Sequence, residues 1–216
     1  MREQVIKAVE AEKIIAIVRG VEASKCMKVA EALYAGGIRM MEITYNQRDR
    51  ASWKTTAESI SAIREKFDGK MYVGAGTVTS PELVELTSSA GGQYIISPDS
   101  NPAVIGRTRE LELVSMPGAM TPTEILIAHN AGADFVKLFP AGELGPGYMK
   151  AVRAPISNVK MLAVGGINEK NIPDFLAVGA VGFGIGGNLA NLKWVESGEF
   201  EKLTAAAEAM LAAVKG

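Results

Sequence analysis

The chain has 216 residues, 23 of them Lys or Arg and 24 Asp or Glu, for a net charge of −1. That length suits one domain, residues 1–216, and the balanced charge gives no electrostatic footprint for nucleic acid or an anionic membrane, so any anionic ligand must be held by a local site. With Cys26 and His129 each the only residue of its kind, there is no internal disulfide, and a zinc site would need mostly carboxylates, which disfavours a metal-dependent mechanism.

Residues 1–10 carry charges throughout and lack the apolar core of a signal peptide, and no stretch approaches the ~20 apolar residues of a spanning helix. A soluble, cytoplasmic protein is expected. Short apolar runs then alternate with longer amphipathic segments. Strands are expected at 14–18, 38–43, 71–73, 94–97, 113–116, 135–139, 161–164 and 181–185, and helices between them include 25–34, 53–66, 81–89, 123–130, 147–153 and 171–178. An alanine-rich helix, 200–214, closes the chain. Ala35-Gly36-Gly37, Ala90-Gly91-Gly92, Ala131-Gly132-Ala133 and Val178-Gly179-Ala180 each stand at a helix end just before a strand, where glycine supplies the left-handed turn. Regular alternation predicts parallel strands with right-handed crossovers. Eight units of about 27 residues fit a (β/α)₈ TIM barrel better than a doubly wound sheet, which more often uses five or six strands.

Within this frame Lys137 is a lone cation in the apolar run Phe135-Val136-Lys137-Leu138-Phe139. Strand alternation puts Phe135, Lys137 and Phe139 on one face. A buried amine has a lowered pKa and a larger neutral fraction, as Schiff-base chemistry requires; the alternative is a lysine paired with a carboxylate or reaching solvent at the strand end. Glu42 shares a face with Met40 and Thr44, and reads either as the proton shuttle for that lysine or as its structural partner, or Arg19's. Arg19 follows Ile15 and Ile17 on one face at the end of the first strand, where it can grip a carboxylate or phosphate or stand exposed. At ~6 Å and an effective dielectric of ~20 its repulsion would lower the Lys137 pKa by about two units.

Glycine-rich turns complete the pattern. Gly74-Ala75-Gly76-Thr77-Val78 could let backbone approach a ligand, with Thr77 adding a hydroxyl, or be a plain tight turn; it carries neither a dinucleotide fingerprint nor a Walker lysine. Gly165-Gly166-Ile167-Asn168 and Gly184-Ile185-Gly186-Gly187-Asn188 follow the seventh and eighth strands, where barrels commonly bind phosphate through backbone N–H groups. Their alternative role is to fill crowded turns. Cys26 and His129 read as a packed thiol and a cation at a helix C-terminus.

In the segments 14–20, 41–44, 74–78, 95–98, 116–121, 135–141 and 165–167 the chain resembles the class I pyruvate aldolases that cleave 2-keto-3-deoxy-6-phosphogluconate and its relatives. The resemblance implies that Lys137 forms the Schiff base and Glu42 transfers protons. It further implies that Thr77 and Pro98 line the pyruvate end, and that backbone at Gly165, Gly166, Gly186 and Gly187 holds phosphate. It implies a keto acid substrate, no metal or organic cofactor, and a homotrimer. The gluconate-type branch often has arginine at Asn46, threonine at Val164 and serine at Asn188; Asn46, Val164 and Gly145-Pro146-Gly147-Tyr148 look closer to the galactonate-type enzymes, with Arg19 taking over the carboxylate contact. The rival readings are cleavage of 4-hydroxy-2-oxoglutarate to pyruvate and glyoxylate, and a phosphate-binding barrel acting as a sugar-phosphate epimerase or non-catalytic sensor.

Overall fold

In the computed structural model, which describes residues 1–215, the apolar runs become nine strands: β1 Ile14–Val18, β2 Met40–Thr44, β3 Tyr72–Gly76, β4 Tyr94–Ile96, β5 Val114–Met116, β6 Gly118–Ala119, β7 Val136–Leu138, β8 Met161–Val164 and β9 Gly182–Ile185. Every ladder is parallel, in the order β5-β4-β3-β2-β1-β9-β8-β7-β6. β5 and β6 are halves of one strand split at Pro117, which has no N–H to give a ladder. The first half pairs with β4 and the second with β7. Eight strand positions therefore close a (β/α)₈ barrel, with one chain segment bridging the seam.

Helices α1 Arg2–Glu12, α2 Ala23–Ala35, α3 Trp53–Lys66, α4 Pro81–Ser89, α5 Pro102–Glu110, α6 Pro122–Asn130, α7 Ala141–Arg153, α8 Ile172–Ala177, α9 Leu192–Ser197 and α10 Phe200–Lys215 accompany the strands. Their starts are chemically marked. Ser80 caps α4, and Thr121 with Glu124 closes a capping box on α6, each followed by proline at the first turn. Helix α7 starts six residues before the expected 147, because Ala141–Leu144 already makes a turn before Gly145, at φ 77° and ψ 163°, breaks the helix.

The two faces of the strands pack differently. Ile14, Ala16, Val18, Met41, Ile43, Val136 and Leu138 pack outward toward the helices. Ile15, Ile17, Met40, Tyr94, Ile96, Val114, Met116, Phe135, Leu162 and Val164 form a second cluster inside the barrel. That division is the period-2 alternation expected from the sequence. The inner cluster is joined by Val5, Ala8 and Val9 of α1, whose i, i+3, i+4 spacing makes one apolar stripe on an otherwise charged helix. Among the described residues no helix is long and apolar enough to cross a membrane.

A carboxylate pins α1 in place. Asp134, just ahead of β7, is 6% exposed at its side chain and pairs with Arg2 of α1 and, at 3.6 Å, with Arg109 of α5. Its other oxygen accepts the Ser115 N–H of β5 at 2.9 Å. Asp134→Ala strands that buried N–H and the Arg2 guanidinium together, and should cost about 2 kcal/mol in urea unfolding. Arg109→Ala, which removes only a long and half-exposed pair, should cost less than about 1 kcal/mol.

Candidate active site

Lys137 sits in the middle of β7 and is 6% exposed. Its Nζ lies 4.9 Å from the centroid of the Phe139 ring, and Ile15, Ile17, Ile96, Leu162 and Val164 line a small apolar void beside it. Burial lowers its pKa; Glu42 acts against that shift and Arg19 adds to it. The repulsion expected from Arg19 therefore exists, but desolvation is the larger cause.

Glu42, in the middle of β2, is 1% exposed. Burial raises its carboxyl pKa to about 7, while Lys137 and Arg19 pull it down. Oε2 has no hydrogen-bond partner, and Glu42 forms a salt bridge with neither Lys137 nor Arg19. Neither structural pairing considered for these residues is present. The carboxylate fits because Gly76 leaves it room: a Cβ there would come within 2.4 Å of Oε1. At Gly74 a Cβ would meet the Tyr94 ring at the same distance. Ligand approach and a plain tight turn were the two roles expected of this motif; the structure adds that both glycines clear space inside the barrel for Glu42 and Tyr94.

Arg19 stands exposed just past β1, and its Nη2 donates to Thr77 Oγ1 at 3.1 Å. Thr77 holds φ 57°, a left-handed conformation unusual for a β-branched residue, and its carbonyl accepts from Gln47 Nε2 at 2.8 Å. Asn46 bonds within its own loop: its side-chain oxygen accepts the Arg48 N–H and its carbonyl accepts from Trp53 Nε1. Of the two, Arg19 lines the cleft that holds Lys137, and Asn46 does not.

A cleft of ≈ 580 Å³ joins Lys137 to Arg19, Thr77, Pro98, Val164, Gly165, Gly166, Gly186, Gly187 and Asn188. It collects every substrate-contact residue expected from the sequence; Glu42, which is buried, is not among the residues that line it. Gly165 and Gly166 adopt φ 88° and 73°, and the Gly165 carbonyl takes the Gly142 N–H of α7 at 2.7 Å. The N–H groups of Gly166 and Gly187 enter none of the turn hydrogen bonds. Asn188 ties the two glycine turns together, its Nδ2 donating to the Ile167 carbonyl at 2.8 Å. A larger cavity, ≈ 740 Å³, lies beyond Arg19 and Thr77 on the side of Asn46, but Lys137 does not line it.

Three contributors escaped sequence reasoning. Phe139 shares the face of Lys137, as alternation indicated, but its ring against the amine was not assigned a role. Tyr94 could have been placed inside from its spacing to Ile96. Nothing in the sequence marks Gly142, where a Cβ would press on Gly165 and Gly166 at 2.8 Å.

Comparison with known proteins gives consistent matches. The probable 2-dehydro-3-deoxy-6-phosphogalactonate aldolase of Rhizobium meliloti (strain 1021) is 37% identical over 177 residues, 82% of this chain and 81% of the relative. A solved structure described as native KDPGal superposes with a TM-score of 0.84 at 31% identity, covering 94% of both chains. The KDPG aldolase of Legionella pneumophila, captured with pyruvate as a covalent carbinolamine, gives a TM-score of 0.84 at 25% identity, covering 95% of this chain and 97% of that one. With residues 5–206 matching the family described as KDPG and KHG aldolase, the chain belongs to that family of lyases.

Proposed function

We propose that the chain cleaves a 2-keto-3-deoxy-6-phospho sugar acid to pyruvate and glyceraldehyde 3-phosphate, with Lys137 as the nucleophile. The observation that carries the reading is a lysine buried in the barrel, with lowered pKa, opening onto a cleft that an unpaired glutamate adjoins. The galactonate-type relative and the pyruvate carbinolamine of the Legionella enzyme support it.

Neutral Lys137 attacks the C2 carbonyl, and loss of water leaves a protonated imine. Removal of the C4 hydroxyl proton then breaks the C3–C4 bond, the electron pair passing into the imine to give an enamine. Protonation at C3 and hydrolysis release pyruvate and regenerate the amine. Glu42 takes and returns these protons, directly or through water; a carboxyl with pKa near 7 is suited to both directions. Arg19 binds the substrate carboxylate beside Thr77 and Pro98, and Gly165, Gly166, Gly186 and Gly187 offer backbone to the phosphate. The chemistry needs no metal or organic cofactor. The working form is a cytoplasmic homotrimer, for which the exposed apolar side chains of Leu126 and Ile127 on α6 offer contact surface.

Borohydride reduction in the presence of pyruvate, followed by peptide mass mapping, should place one adduct on Lys137, and Lys137→Ala should abolish both adduct and turnover. An unlabelled Lys137 would favour the epimerase or sensor reading. A steady-state comparison should favour the phosphorylated substrate over 4-hydroxy-2-oxoglutarate.

Activity should fall as pH drops through about 7, where Glu42 takes up a proton. Glu42→Gln should remove that limb and lower kcat by about 10²- to 10⁴-fold, while some imine still forms. A retained acid limb in that variant would assign the base elsewhere.

Val164 lines the cleft without a hydroxyl to offer C4. Val164→Thr should shift the gluconate-to-galactonate ratio of kcat/KM toward the gluconate epimer by about tenfold. An unchanged ratio would place C4 selection on another residue.

A further inference from the structure

Behind Glu42, the barrel interior contains a polar side chain that the proposed reaction does not use. Tyr94 opens β4 and is fully buried, its ring packed into the space left by Gly74. Gly74 is also the register partner of Glu42 across the β2–β3 ladder. Strand pairing thus sets Glu42, Gly74 and Tyr94 side by side on three neighbouring strands, with no side chain at Gly74 to separate the phenol from the carboxylate.

Both groups carry a buried polar atom without a partner, the Tyr94 hydroxyl and Oε2 of Glu42. The Met41 backbone N–H is close enough to the phenol oxygen to offset part of its pKa shift, but it closes no bond of good geometry. Burial, and after it the charge of Glu42, hold the phenol well above its ordinary pKa, so it keeps its proton and remains a donor. Phenylalanine would fill the same space without an orphan hydroxyl, and orphaned groups in a core are rare because each is unfavourable.

We propose that Tyr94 is a positioning residue for the proton transfers: its hydroxyl reaches Oε2 of Glu42 across one bridging water and holds the carboxyl in the notch above Gly76. This role rests on the aldolase reading. A hydrogen bond to the ionised carboxylate favours that form. Its removal therefore raises the pKa of Glu42. The charged groups that act on Glu42 are Lys137, from β7, and Arg19, from beyond β1. Tyr94→Phe leaves both in place, so a shift in the pH profile reports on the lost hydroxyl.

The test is the pH dependence of kcat for the full chain and for Tyr94→Phe on the phosphorylated substrate, beside borohydride trapping with pyruvate. The acid limb should move up by about one pH unit, with several-fold lower kcat at neutral pH, unchanged KM and undiminished trapping at alkaline pH. In a Glu42→Gln background, Tyr94→Phe should have no further effect on kcat. An unmoved limb in an enzyme that cleaves normally overturns the role and leaves the aldolase reading intact; absence of cleavage and trapping in the parent chain overturns both.

Discussion

Two ionisable side chains share the buried interior of one barrel without neutralising each other, and the arrangement of the site follows from that constraint. Lys137 and Glu42 are each nearly inaccessible and close no salt bridge between them. Burial disfavours the charged form of both, so the lysine moves toward the neutral amine and the glutamate toward the neutral acid. A tight pair would have cancelled these shifts, pulling each group back toward its charged form. Separation keeps a fraction of both in the form that reacts. It leaves one carboxylate oxygen without a hydrogen bond in the core, in the room that the neighbouring strand provides at Gly76.

The fold was legible in the sequence because both of its periods are clean. Alternation assigned Ile15, Ile17, Met40, Phe135 and Lys137 to one face of their strands, and those residues lie inside the barrel. The helices expected at 81–89 and 123–130 form as Pro81–Ser89 and Pro122–Asn130. What escaped notice had physical reasons. Helix α1 has only three buried residues in eleven, so its charge masks the stripe that seals the barrel floor. The split at Pro117 leaves a two-residue strand too short to register as a run.

The site was legible in its chemistry and less so in its supports. A lysine or glutamate within an apolar run stands out because burial is unfavourable for either, whereas a glycine that makes room for a distant side chain looks like one that makes a turn. Gly76 was read as a point of ligand approach or a plain tight turn, because nothing in a linear sequence reveals that the Glu42 carboxyl reaches over it from the next strand. Asn46 could likewise be named as a departure from the family pattern, but its use as a loop cap depends on Arg48 and Trp53, which the sequence alone does not bring together.

The seam at Pro117 bears on how the chain avoids its own kind. Where a ladder ends, a sheet offers bare N–H and C=O groups to any extended peptide, the usual template for aggregation. Here those groups are already engaged. The Ser115 N–H is held by the Asp134 carboxylate, its carbonyl accepts from the Asp134 and Phe135 N–H groups, and the Gly118 carbonyl accepts the Ser100 hydroxyl. The interruption in the sheet is thus closed to foreign strands, and the carboxylate that fastens the floor of the barrel also guards its one discontinuity.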